Sequence, residues 1–275
     1  MPLKTPFAII AADHGRPLED MLVGLGLPSG EEAQRAFKAD LVDTVGRDAG
    51  AILLDPDVSW PDVGALVPPG VDVLVRIEAD DVEVEDGLRR TQMVPDLGAS
   101  GARALGADAA KLMVFLRADR EDGDGYAAGL VRSALADCRQ AGLDCVVELM
   151  TYRLDDESPE TFAARREDLI AEGAVLLAEC GAPALKLEYP GSPEACRRVT
   201  DALDVPWAVL SAGVDHDTFC DQLRVAVTEG AAGFIAGRSL WKEAVGLPPA
   251  ERRAFLDDTG RHRLEEMLSI IRSFS

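Results

Sequence analysis

The sequence predicts an α/β fold, a (β/α)8 TIM barrel built as one domain over residues 1–275. Three observations lead there. Eight short apolar runs recur along the chain, segments with helical periodicity alternate with them, and no linker-like break interrupts the alternation.

The runs come in order. "FAIIAADHG" from Phe7 opens the series, and the amphipathic "EEAQRAFKADLVDTVGRDAG" separates it from "AILLDPDVS" at Ala51. "VDVLVRIEAD" from Val71 is third. The connection after it, "DDVEVEDGLRRTQMVPDLGASGARALG", is the least regular and reads as a loop followed by a short helix. "AAKLMVFLRAD" from Ala109 and "DCVVELMTYR" from Asp144 follow, with "YAAGLVRSALADCRQAG" between them. Next come "ALKLEYPG" from Ala184, "PWAVLSAGV" from Pro206 and "AGFIAGRSLW" from Ala232. The helical segments around them include "SPETFAARREDLIAEGAVLLAECG", "SPEACRRVTDAL" and "DTFCDQLRVAVTEG", several opening on Ser or Asp and closing on Gly, as helix caps do. A final helical segment, about Pro249 to Phe274, closes the chain.

A net charge of −21 repels nucleic acid and anionic lipid at long range and excludes both as expected partners. An anionic substrate would then need local, specific basic contacts. The five cysteines follow no CxxC spacing and no apolar signal segment opens the chain, so a reducing cytoplasm is expected, with the thiols as small buried hydrophobes. Three histidines without HExxH or paired-histidine spacing offer no zinc site. His216 reads as a helix-start residue and His262 as part of a solvated helix. Trp207, Trp241, Tyr152 and Tyr189 read as packing or pocket wall.

In a barrel, chemistry gathers at the carboxyl ends of the strands. Alternation in "ALKLEYP" gives Leu185 and Leu187 one face and Lys186 and Glu188 the other, so Lys186, one of only five lysines, should point inward. The same sorting selects Asp13, Asp55, Arg76, Glu78, Lys111, Glu148, Ser211 and Arg238. Charges inside a barrel need partners or a task. They could form a filling ion-pair network, or they could perform chemistry. A lysine amine attacks a ketone only when neutral, and burial or a second cation lowers its pKa. Lys111 could be that cation, and Glu148 could move the protons that imine formation and C–C cleavage require. Ser211, Gly213, Gly237 and Arg238 fall at the ends of the last two strands, where barrels of this type commonly hold a phosphate.

"AADHGRP", "AAKLMVFLRAD", "VVELMTYR", "ALKLEYPGS", "VLSAGV" and "GAAGFIAGRSLW" together resemble the class I aldolases related to tagatose-1,6-bisphosphate aldolase and, more distantly, the DhnA-type and deoxyribose-phosphate aldolases. The resemblance implies Lys186 as the Schiff-base lysine, Glu148 as the proton-transfer residue and Lys111 as an active-site lysine. It also implies that Ser211 and Arg238 bind a terminal phosphate or similar anion, and it matches Asp13 to the acidic residue of the first-strand motif. His14 departs from the "AADQR" of the tagatose-type enzymes toward the "DHG" of the DhnA-type branch, and could bind or protonate the substrate.

The activity so implied is metal-independent and needs no cofactor. It is aldol cleavage or formation in a phosphorylated, or sulfonated, ketose, releasing dihydroxyacetone or its phosphate and an aldehyde. A transaldolase, a sugar-phosphate isomerase acting through Glu148 and Asp13, or a non-catalytic sugar-phosphate binder would use the same residues. A homo-oligomer is the expected assembly.

Overall fold

The computed structural model describes residues 5–274. Ten strands occur in it: β1 (Phe7–Ala11), β2 (Ala51–Leu54), β3 (Asp72–Arg76), β4 (Glu78–Glu85), β5 (Leu88–Met93), β6 (Ala109–Phe115), β7 (Asp144–Met150), β8 (Ala184–Glu188), β9 (Trp207–Leu210) and β10 (Gly233–Ala236). Eight of them, all parallel, close a barrel in the order β1-β10-β9-β8-β7-β6-β3-β2. These are the eight apolar runs of the sequence. Helices α1 (Arg16–Gly24), α2 (Glu31–Thr44), α3 (Gly98–Ala104), α4 (Tyr126–Ala141), α5 (Pro159–Glu179), α6 (Pro193–Ala202), α7 (His216–Thr228) and α8 (Arg238–Trp241) lie between strands or follow the last.

Local chemistry sets the helix ends. Ser158 and Ser192 cap α5 and α6 by accepting from the N–H groups of Thr161 and Ala195, each with proline in the first turn, where its missing N–H costs nothing. Asp215 caps α7 in the same way through Thr218. Gly142 ends α4 at φ +68°, a left-handed conformation that a side chain would disfavour.

Alternation divides the core in two. Leu185 and Leu187, fully buried, face the helices with Val147, Val209 and Phe234. Phe7, Ile9, Leu53, Leu74, Val146 and Ile235, with Ala51, Ala109, Ala184 and Ala208, fill the barrel interior. Burying each large apolar side chain stabilises the fold by roughly 1.5–3 kcal/mol. The residues one step further along the same inward rows are Asp13, Arg76, Lys111, Glu148 and Lys186. A polar layer therefore sits on an apolar plug.

One sequence expectation changes and another gains detail. The connection after β3 is not a loop but the antiparallel hairpin β4–β5, followed by the expected short helix α3. Asp86 (φ +51°) and Gly87 (φ +75°) form its two-residue turn, the conformation that an Asp-Gly pair favours. Its only β-branched alternation, Val82 and Val84, faces solvent, so the strand had no buried apolar face to announce it. The C-terminal segment is helical as expected, α9 (Pro249–Phe255) running into α10 (Arg261–Arg272) through a π-helical turn over Leu256–Gly260.

Candidate active site

Lys186 projects from the middle of β8 onto its neighbour, where the register pairs it with Glu148. Its Nζ donates to Glu148 Oε2 at 2.9 Å. Lys111 Nζ lies 2.8 Å from the same oxygen. Lys111 also donates to Asp13 Oδ2 at 3.1 Å and to Glu78 Oε1 at 2.5 Å, while the Met113 N–H donates to Glu78 Oε2 at 3.0 Å. One lysine thus sits among three carboxylates, and the other touches only the carboxylate they share.

This asymmetry sets the protonation states. Burial pulls the Lys111 pKa down, but Glu148, Glu78 and Asp13 outweigh it and hold the ammonium well above its usual range. Burial likewise pushes Glu148 and Asp13 up, and the charges of Lys111 and Lys186 overcome it, so both carboxyls titrate lower than usual. Glu78 goes the other way. Its burial prevails over Lys111 and Arg76 and raises its pKa. Lys111 is a permanent cation, and Glu148 is an anion bridging it to Lys186.

Asp13, His14, Arg76, Lys111, Glu148, Lys186 and Arg238 line one cavity of about 280 Å³ at the carboxyl end of the barrel. Burial pulls the His14 imidazole down to about 3, so it is neutral at ordinary pH. Its Nδ1 is buried without a hydrogen-bond partner, and the ring stands edge-on to Trp241 at 5.1 Å. Gly237 makes room for it: a Cβ there would lie 2.7 Å from His14 Cε1 and 2.6 Å from the Ala11 carbonyl oxygen. Gly213, at φ +80°, backs the Arg238 guanidinium, where a Cβ would approach Cζ to 3.1 Å.

The two cavity arginines differ. Arg76 is bidentate to Asp80 at 2.8 and 2.9 Å and reaches Asp57 at 3.0 Å. Arg238 has no ion-pair partner among the described residues, which leaves its five donors for an anion. Ala79, Asp80 and Val82 from β4 form part of the wall, so the hairpin is part of the site.

Five expected site residues are absent from the cavity lining: Gly213 and Gly237, which lie against the lining groups Arg238 and His14, and Asp55, Glu188 and Ser211, which stand apart. Asp55 is fully buried and accepts from Lys38 of α2, from the Val58 N–H and from Ser59 Oγ, closing the loop after β2. Glu188 does point inward by parity, but at the strand's last residue it is met by Arg166 of α5 at 2.9 Å. Ser211 is buried just past the end of β9 and is not part of the cavity lining. The lining groups Arg16, Asp20 and Asp80 were not singled out from sequence, and Glu78 was placed inward without a role. Asp80 could have been found through its i,i+4 spacing from Arg76. Trp207 and Trp241 are packing residues whose indole N–H groups donate to Thr200 Oγ1 and to the Ala11 carbonyl.

Comparison with known proteins gives concordant matches. The chain is 24% identical to tagatose 1,6-diphosphate aldolase 2 of Enterococcus faecalis, over 98% of this chain and 91% of that protein. It is 23% identical to the enzyme of the same name from Streptococcus pyogenes serotype M3, over 81% and 77%. Among solved structures, fructose-bisphosphate aldolase from Slackia heliotrinireducens superposes with a TM-score of 0.67 at 15% identity, over 98% of this chain and 87% of that one. An archaeal fructose-1,6-bisphosphate aldolase whose catalytic lysine carries the carbinolamine intermediate gives 0.64 at 17% identity, over 95% and 93%. At these identities the structural likeness is one of fold. The description of the DeoC/LacD family aldolases matches residues 38–243, from α2 past the end of β10, and with most of the barrel inside that match the chain belongs to this aldolase family.

Proposed function

We propose that this chain is a class I aldolase that makes or breaks a C–C bond in a phosphorylated, or sulfonated, ketose through an imine on Lys186. The observation that carries this reading is the single Glu148 oxygen shared by Lys186 and the permanently charged Lys111. Among the described lysines, Lys186 is the one that combines burial in the cavity with only one ion-pair partner.

In the cleavage direction Lys186 first gives a proton to Glu148, and its neutral Nζ adds to the ketone carbon. Glu148 returns a proton to the departing hydroxyl, so that water leaves the carbinolamine and an iminium forms. The same carboxylate then takes the proton of the hydroxyl on the far carbon of the bond to be broken, β to the iminium carbon. The C–C electron pair moves toward the iminium, an aldehyde leaves, and an enamine remains. Protonation of the enamine and hydrolysis release dihydroxyacetone or its phosphate and free Lys186. Lys111 holds Glu148 in place throughout and stabilises negative charge where it develops. The anion rests on Arg238, and neutral His14 hydrogen-bonds a hydroxyl or anion oxygen through its unpartnered Nδ1.

The tagatose and fructose bisphosphates named for the relatives are the first substrates to try. Borohydride reduction in the presence of dihydroxyacetone phosphate, followed by peptide mass spectrometry, should give a stable adduct on Lys186, and Lys186→Arg should abolish it together with turnover. Full cleavage activity in Lys186→Arg would sink the imine mechanism.

A further inference from the structure

Two of the protein's three histidines stand outside the cavity lining, on helices α7 and α10. His216 opens α7 and Cys220 follows one turn later on the same face. Helix α10 packs against α7 and brings Glu266 to them, with His262 one turn before it. His216 Nε2 lies 2.7 Å from Glu266 Oε2 and 3.4 Å from Cys220 Sγ, and one donor atom from each of the three residues falls within 4.8 Å of the others. His262 Nε2 is 3.9 Å from the same glutamate oxygen. None of the four lines the aldolase cavity.

We propose that His216, Cys220 and Glu266 bind a divalent transition-metal ion of the zinc type and clip α7 to α10, the exposed His262 side chain turning in as the fourth ligand when the ion binds. Tetrahedral zinc with bonds of about 2.0–2.3 Å holds its ligand atoms about 3.5 Å apart, so the imidazole–thiol distance already fits and the carboxylate must retreat by less than about 1 Å. An i,i+4 pair on each of two packed helices is a geometry that projects four donors into one space. The sequence contains no paired histidines, CxxC or HExxH because each pair here joins unlike residues, His-x3-Cys and His-x3-Glu.

Donor chemistry selects the ion. A thiolate with imidazole nitrogens suits zinc, cobalt or copper rather than magnesium or calcium. Glu266, Asp217 and Asp221 add negative charge nearby, partly offset by Arg224, which pairs with Asp221. Burial pushes the Cys220 thiol up to about 11, so without a metal it is protonated and inert as a nucleophile. Binding would replace the thiol proton with the cation and release that proton to solvent. The ordinary alternative is that a His216–Glu266 hydrogen bond alone ties the two helices.

Titration of the chelator-stripped full chain with Co(II) separates these. A metal site gives saturation at a single equivalent, a thiolate-to-cobalt absorption in the near ultraviolet, displacement by Zn(II), and a rise in melting temperature. Cys220→Ser should lose the near-ultraviolet band while keeping native circular dichroism, and Glu266→Gln, at a half-exposed position that tolerates change, should weaken cobalt binding without altering the fold. Absence of saturable binding, or a band that persists in Cys220→Ser, would overturn the proposal. Neither result bears on Lys186, so the two readings fail separately.

Discussion

Removing Lys111 and removing Lys186 should affect stability differently, because their surroundings are not equivalent. Lys111→Met leaves Asp13, Glu78 and Glu148 facing one another in a buried space, with Lys186 in contact with Glu148 alone and the charges of Lys186 and Arg76 reaching the others only from further away. Breaking a buried ion pair by deleting one partner costs about 3–5 kcal/mol. Lys186→Met leaves Glu148 its second lysine, so the loss should be distinctly smaller. Urea unfolding of the two variants is the check. Equal destabilisation would mean that the network is not centred on Lys111. The inward row itself was legible in the sequence: strict alternation placed Lys186, Glu148, Lys111, Asp13 and Arg76 correctly. It says less of Ser211, which lies past the end of β9, where alternation no longer governs the side chain, and outside the cavity lining. For Asp55 and Glu188 it found the face but not the partners, Lys38 and Arg166, which arrive from helices that no local pattern connects to them.

The hairpin β4–β5 is the element least dictated by the barrel and the one most open to local change. Beyond its own pairing it is fixed at its base by Arg76–Asp80 and by Glu78 in the charged network, and along β5 by the Phe115 N–H to Thr91 Oγ1 at 3.0 Å, Tyr126 Oη to the Thr91 carbonyl at 2.8 Å, the Arg89 N–H to Tyr152 Oη at 2.9 Å and the Arg90–Glu121 ion pair. The outer link, Arg16–Asp81, is highly exposed and contributes little. A two-stranded hairpin is marginal on its own in water. Gly87→Val places a β-branched residue at φ +75°, at a cost of about 1–2 kcal/mol, which corresponds to roughly five- to thirty-fold in a local opening equilibrium. Hydrogen exchange should therefore accelerate by about that factor across β4 and β5 while the barrel amides keep their protection. KM should rise as well, since Ala79, Asp80 and Val82 wall the cavity. An equal increase in exchange over the barrel strands would show that the hairpin unfolds only with the whole. Apolar runs revealed the eight barrel strands because those are buried on both faces. The hairpin has no such burial, and only its Asp-Gly turn carried a signal.

At the scale of the molecule the apolar plug closes one end of the barrel, so substrate must enter from the end where the charged layer lies. The approaching ligand meets a chain of net charge −21 before it meets Arg238. These two fields differ in range. Charges separated through solvent are screened within about 8 Å at physiological ionic strength, whereas contacts in a buried cavity are screened much less. For an anionic sugar phosphate, added salt should therefore remove the long-range repulsion while largely preserving the contact with Arg238. kcat/KM should rise as ionic strength increases from a few millimolar to about 0.15 M, opposite to the behaviour of an enzyme that steers its substrate by attraction. Free dihydroxyacetone carries no charge and should show almost no salt dependence over the same range. A fall in kcat/KM for the phosphate with added salt would mean that the mouth of the barrel presents positive potential despite the overall charge. Arg238→Gln then discriminates further: it should lower kcat/KM for the phosphorylated compound far more than for the neutral one, at every salt concentration, because the contact it removes is local.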